Sequence, residues 1–117
     1  MQLRDVHHVS LNVGDVAEAG RFYREVLGLE QITRPDFGVP GMWLQAEQVQ
    51  VHLIEVDDHV APDGQHFALA VDDLDGAVAE LTAAGVTVSE PIEIPGAGRQ
   101  AFLHDPSGNM IELNQPA

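Results

Sequence analysis

His8, His52, His66 and Glu112 carry the side chain types from which metal sites are built, and their spacing forms two matching pairs. His8 and His66 stand 58 residues apart at the head of two similar stretches, HVSLNVGDVAEAGRFY and HFALAVDDLDGAVAEL. His52 follows the first by 44 residues and Glu112 follows the second by 46. Imidazole nitrogens and a carboxylate suit Zn, Ni, Fe, Co or Mn, and two His with one carboxylate is a recognised set for holding Fe(II) with open positions. The chain has no cysteine, which excludes disulfides and thiolate metal sites.

The elements that must position these residues are read from the repeat. Leu11 matches Leu69, Val13 matches Val71, Asp15 matches Asp73 and Ala19 matches Ala77; after one deletion, Gly28-Leu29 matches Gly85-Val86. Each half predicts a strand opening on its histidine, then a helix. In the first helix Val16, Ala19, Phe22, Tyr23, Val26 and Leu27 recur at threes and fours. Asp15 and Asp73 suit the helix N-caps, a structural role, and Gly28 and Gly85 suit the left-handed C-caps. Strands follow near Leu29 to Thr33, Met42 to Ala46 and Val49 to Val56, and in the second half near Val86 to Ile92, Gln100 to His104 and Met110 to Asn114. RPDFGVPG, PIEIPGAG and DPSGN read as turns. The pattern is one α+β domain of two βαβββ modules, residues 1–57 and 65–117, with DDHVAPDGQ at 57–65 as linker.

Strand side chains alternate between faces, so parity decides what each can touch. Val9, Leu11 and Val13 share one face, as do Phe67, Leu69 and Val71; these are the surfaces for helices to cover. His8, Ser10 and Asn12 lie on the other face, with His66, Ala68 and Ala70 in the second half. His52 and Glu112 fall on the same polar side of the last strand of each half. All four candidate ligands are therefore expected on the face away from the helices. His7 has the opposite parity and points elsewhere. His59 in the linker and His104 beside a turn read as exposed.

Composition bounds the partners. Nineteen acidic residues against five Lys and Arg give a net charge of −14, which repels phosphate backbones and anionic lipid surfaces. Nucleic acid is excluded as a natural partner, no segment is apolar enough for a membrane span, and the expected location is the cytoplasm.

At these residues the chain resembles the vicinal oxygen chelate superfamily, which includes glyoxalase I, extradiol dioxygenases, fosfomycin-resistance enzymes, methylmalonyl-CoA epimerase and bleomycin-resistance proteins. HHVSLNVGDVAEAGRFYREVLGLE is similar to the family's opening strand and helix, and FLHDPSGNMIELNQ to its closing hairpin. The resemblance implies a cup-shaped, glyoxalase-like half barrel, commonly in a homodimer, with His8, His66 and Glu112 as recurrent ligands of a divalent ion. His52 stands where glyoxalase-like members often have Glu or Gln.

The activity expected first is a metal-dependent lyase or isomerase acting on a small vicinal-oxygen substrate through a metal-stabilised enediolate, with Glu112 moving the proton and His52 assisting. An Fe(II) extradiol-type dioxygenase and a metal-free bleomycin-type binding protein are the alternatives. Trp43 and Phe102 match each other between halves and suit a pocket rim or packing. Arg99, at a loop-strand junction, suits a substrate carboxylate or a surface ion pair.

Overall fold

The alternation in HVSLNV is realised as a strand whose odd residues turn inward: β1 spans His8–Val13, with Val9 and Leu11 half-buried and Val13 fully buried. The structure, a computed structural model, describes residues 1–117 and divides into two compact units, Met1–Val60 and Ala61–Ala117.

In the first unit β1 leads to α1 (Val16–Arg21), then β2 (Glu30–Ile32), β3 (Gly41–Ala46) and β4 (Val49–Glu55). The sheet order is β1-β4-β3-β2, with β1 and β4 parallel and the remaining pairs antiparallel. Asp15 caps α1 by accepting the Glu18 N–H at 3.1 Å. A second cap, invisible to local patterning, comes from β4: Glu55 Oε2 accepts the Val16 N–H at 3.0 Å. Both place negative charge at the positive end of the helix.

The helix expected to run to Leu27 changes form at Phe22. Residues Phe22–Val26 make a wider π-helical turn in which the Leu27 N–H reaches back to the Phe22 carbonyl at 3.0 Å. This turn carries two consecutive buried aromatics, Phe22 and Tyr23, whose rings meet edge-on at 5.4 Å. Gly28, at φ 76°, then ends it with the Leu29 N–H on the Tyr23 carbonyl, the closure that a left-handed residue permits.

The second unit repeats the plan with β5 (His66–Ala70), α2 (Leu74–Ala83), β6 (Ile92–Ile94), β7 (Gly98–His104) and β8 (Met110–Gln115), in the order β5-β8-β7-β6. Asp73 caps α2 through the Gly76 N–H at 3.0 Å, and Gln115 of β8 takes the place of Glu55 by accepting the Leu74 N–H at 2.9 Å. The cores are Val13, Tyr23, Leu44, Val51 and Leu53 in one unit and Leu74, Ala101, Leu103, Ile111 and Leu113 in the other. No helix is long and apolar enough to cross a membrane.

One strand is displaced from its expected place. The run Val86 to Ile92 is not β6; the strand begins at Ile92, inside the segment expected to be a turn. Pro91 has no N–H to continue a ladder. The preceding segment is tied to β7 through Ser89, whose N–H donates to the Phe102 carbonyl at 2.9 Å while its hydroxyl accepts the Phe102 N–H at 2.8 Å. A side-chain oxygen thus substitutes for a backbone acceptor.

The DPSGN turn fixes the hairpin that delivers Glu112. Asp105 Oδ1 accepts the N–H groups of Ser107 and Asn109, both at 2.9 Å, and its Oδ2 accepts the Asn109 amide at 2.9 Å. Asp105 and Asn109 are both buried, so removing the carboxylate strands donors away from water. Asp105→Ala is expected to lose roughly 1–3 kcal/mol in urea unfolding; a change under about 0.5 kcal/mol, the range of an ordinary surface substitution, would mean that the turn is held by other contacts.

Candidate functional site

Cross-strand register places the candidate ligands. In the first unit Ser10 pairs with His52 across β1 and β4, and His52 with Trp43 across β4 and β3. In the second, Ala68 pairs with Glu112 and Glu112 with Phe102. His52 and Glu112 therefore hold corresponding central positions, with Trp43 and Phe102 beside them and His8 and His66 two residues before Ser10 and Ala68.

The equivalent positions do different things. His52 is the middle of a three-ring stack: the Trp43 ring lies 4.1 Å away at 5° and the His8 ring 4.1 Å away at 17°. The sandwich buries His52 to 8% exposure although it sits on the polar face. Its Nε2 meets Gln50 Oε1 at 2.8 Å. Burial, followed by positive charge on His8, His7 and Arg34, holds its pKa below the ordinary histidine value. A neutral imidazole, with one ring nitrogen bare, is thus favoured at pH 7.

In the second unit the pair is polar. His66 Nε2 and Glu112 Oε1 are 3.2 Å apart, and Glu112 is 8% exposed. The Asn114 amide donates to Glu112 Oε2 at 2.8 Å, and Phe102 meets the His66 ring edge-on at 5.3 Å. His66 Nδ1 lies 2.9 Å from the Gly64 carbonyl. A carbonyl only accepts, so Nδ1 carries a proton, and in the neutral ring Nε2 is a bare lone pair. Two acceptors then face each other unless a cation, a proton or a metal, lies between them.

The four expected ligands are thus brought together as two pairs, one in each unit. No three His, Asp or Glu side chains gather at a common point. A family model described as the Glyoxalase/Bleomycin resistance protein/Dioxygenase superfamily matches residues 5–113. The chain belongs to this superfamily. It is 27% identical to Glyoxylase I 4 of Arabidopsis thaliana over 97% of this chain and 71% of that protein. It is 26% identical to human mitochondrial methylmalonyl-CoA epimerase over 94% of this chain and 73% of the relative. Among solved structures, the antibiotic binding protein TnmS3 from Streptomyces sp. CB03234 is 32% identical, with a TM-score of 0.82 over 100% of this chain and 99% of that one. Two four-stranded mixed sheets with two helices are the α+β glyoxalase-like fold.

The spacing of His66 and Glu112 is compatible with two donors to the divalent ion associated with the superfamily. Donors about 2.0–2.1 Å from one tetrahedral ion lie roughly 3.3 Å apart, close to the 3.2 Å between His66 Nε2 and Glu112 Oε1. The Gly64 carbonyl fixes the orientation of the His66 ring through its other nitrogen, as an outer partner would for a ligating histidine. His8 and His52 fit differently. Near-parallel stacked rings send their in-plane lone pairs along parallel sheets, so without rotation only one of the two can point at a given ion.

Several partners were not legible in the sequence. His7, expected to point elsewhere, meets His8 with Nδ1 atoms 2.9 Å apart, because it precedes β1 and is free of the strand's alternation. Gln50 and Asn114 are each two residues from the side chain they hold, the same-face spacing of a strand, which marks them only once His52 and Glu112 are singled out. Arg99 grips Asp75 through two hydrogen bonds of 2.9 and 3.1 Å. That bidentate bond raises the Arg99 pKa and lowers that of Asp75, and the guanidinium fork is occupied. His59 is half-buried, with Nε2 shielded from solvent, rather than exposed.

The depressed pKa of His52 gives a pH signature. In metal-free protein its ring, followed by NMR, is expected to titrate below about 6.5, the ordinary value, and His8→Ala should move the midpoint up. The unfolded chain then binds the extra proton first, so His52 contributes a loss of stability as pH falls from about 6.5 through its folded midpoint. A midpoint at or above the ordinary value would contradict the stacked, buried arrangement.

Proposed function

We propose that this chain is a metal-dependent lyase or isomerase of the glyoxalase type, with His66 and Glu112 as residues that would hold a divalent ion and, on the family resemblance, His8 and His52 as the further candidate ligands. The observation that carries the reading is the facing pair of His66 Nε2 and Glu112 Oε1, two acceptors bridged by either a proton or a metal ion, at a spacing that suits two donors to one ion. When bound, a divalent ion supplies Lewis-acid polarisation of neighbouring substrate oxygens. The protein's own part is proton movement. Glu112 is the only carboxylate of the set, and it accepts the proton from the carbon next to a substrate carbonyl and returns it at the neighbouring atom. Asn114 holds Oε2 in place, and burial keeps water from competing for that proton. His52, neutral and held by Gln50, is the second proton carrier.

A second reading, a metal-free binding protein for a small toxic ligand, draws support from the likeness to TnmS3 along the whole chain. Elemental analysis of protein purified without a His-tag separates the two. The lyase reading expects one ion per site, and His66→Ala should weaken binding by more than tenfold. His7→Ala, which removes the ring that meets His8 Nδ1, should weaken binding less than His66→Ala. Wild-type protein that takes up none of Zn, Ni, Co, Mn or Fe(II) under anaerobic loading would overturn it in favour of the binding protein. Oxygen uptake with a catechol by the iron-loaded form would instead favour a dioxygenase. At saturating metal, Glu112→Gln should keep the ion through its amide oxygen yet lose turnover by roughly a hundred- to ten-thousand-fold.

A homodimer is part of the same proposal. Each four-stranded sheet has two edges, and β6 exposes Ile92 and Ile94 at 49% and 37%. Symmetric pairing covers such edges. Light scattering at micromolar concentration should give twice the chain mass; a monomer with full metal content would exclude it.

A further inference from the structure

We propose that Arg34 forms an oxyanion site, for a carboxylate or phosphate group, beside Phe37 at the β2–β3 loop of the first unit.

The argument begins at Gly41. A Cβ built there would come within 2.5 Å of the Leu53 carbonyl oxygen and within 2.6 Å of both Cζ and Nη2 of Arg34. Gly41 and Trp43 are two residues apart on β3, so a side chain at 41 would project to the face of Trp43. The guanidinium fills that missing side chain's space. Through Phe37 it stands next to Trp43, whose ring centre is 6.0 Å from that of Phe37, although Arg34 itself is in the loop between β2 and β3.

The fork is held without being neutralised. Nη1 donates to the Val39 carbonyl at 3.1 Å, and Cζ sits 5.0 Å from the centre of the Phe37 ring. Nε is shielded from solvent and has no acceptor, although a buried donor normally finds one. No carboxylate pairs with this guanidinium, in a chain with 19 acidic residues. Arg99 shows the contrast, its fork being closed on Asp75. Asp36 is near in sequence but spends Oδ1 on the Gly38 N–H at 2.8 Å.

Arg34 also lines an open hollow of about 740 Å³ at the end of the sheet, whose walls include Val16 at the start of α1, Thr33, Asp36, Pro40, Gly41 and Met42. Phe37, beneath the guanidinium, is 58% exposed. A planar fork with unspent donors, anchored on a carbonyl and a ring at the mouth of a hollow, matches a carboxylate or phosphate in shape and charge. The chain's overall negative charge does not forbid this, because beyond about 8 Å it is screened at physiological ionic strength while the fork acts in contact. That the bound oxyanion is part of the substrate rests on the lyase or isomerase reading; the site itself does not.

Trp43 is the chain's single tryptophan and lies 6.0 Å from Phe37, so its fluorescence reports the site. Metal-free full-length protein is titrated with inorganic phosphate and, separately, with malonate. Saturable change with either anion supports the site, and the tighter of the two names the oxyanion. Arg34→Gln should weaken it at least tenfold, Arg34→Lys should weaken it less by keeping charge without the fork, and Arg99→Gln should match the parent. Binding that persists in both Arg34 variants at parental strength, or that falls equally in Arg99→Gln, overturns the proposal. Metal uptake by Arg34→Gln is measured in parallel: loss of anion binding with unchanged metal content leaves both readings standing. Anion binding in a protein that takes up no metal sinks only the enzyme reading.

Discussion

The parallel pairing of the first and last strand of each unit is the constraint on which the candidate site depends. It sets Ser10 against His52 and Ala68 against Glu112, and so puts each initial histidine on the same face as its later partner. A slip of one residue would turn every side chain of the moving strand to the other face. What forbids the slip is on the opposite side: Val13, Val51 and Leu53, like Ile111 and Leu113, are almost wholly removed from water. At about 25 cal/mol per Å² of apolar surface, returning such residues to solvent costs several kcal/mol. The polar face is thus held in register by an apolar face it never touches.

Within that shared frame the two units have diverged in chemistry while keeping their geometry. At the central position of the last strand one carries His52 and the other Glu112; the neighbour is Trp43 in one and Phe102 in the other. An imidazole beside an indole stacks, and stacking removes water from it and favours its neutral form. A carboxylate beside a phenyl ring gains little from the ring's face, whose charge distribution repels anions. It turns instead to His66 and Asn114. One backbone plan therefore yields a stacked, neutral imidazole in one unit and a buried, hydrogen-bonded carboxylate in the other.

How much of this was legible follows from the range of each interaction. The strands opening on His8 and His66, the caps at Asp15 and Asp73 and the left-handed glycines at 28 and 85 depend on neighbours within a few residues, and repetition doubled each signal. The run Val86 to Ile92 misled because its alternation is strand-like, while Pro91 and the hydroxyl of Ser89 divert its hydrogen bonding. The stack at His52 was beyond reach for another reason. Parity shows which residues share a face, but not whether two rings present their edges or their faces to each other, and that distinction decides whether both can serve one ion. Arg34 stayed hidden because its placement depends on the absence of a side chain at Gly41, and an absence has no periodicity.

The last strand of each unit also joins the site to the helix. Three residues beyond His52 and Glu112, Glu55 and Gln115 reach back to the first helical N–H groups, of Val16 and Leu74. These N–H groups have no partner within their helices, so leaving one unmet in a partly buried place costs on the order of 1–3 kcal/mol. Moving β4 or β8 along its axis would break that bond before it disturbed the apolar core, since a side-chain hydrogen bond fails within a few tenths of an ångström and burial fades gradually. The cap therefore works as a fine adjustment on top of the coarse one supplied by packing. A candidate ligand three residues away on the same short strand inherits its precision, which is the tolerance a metal site or a proton transfer demands.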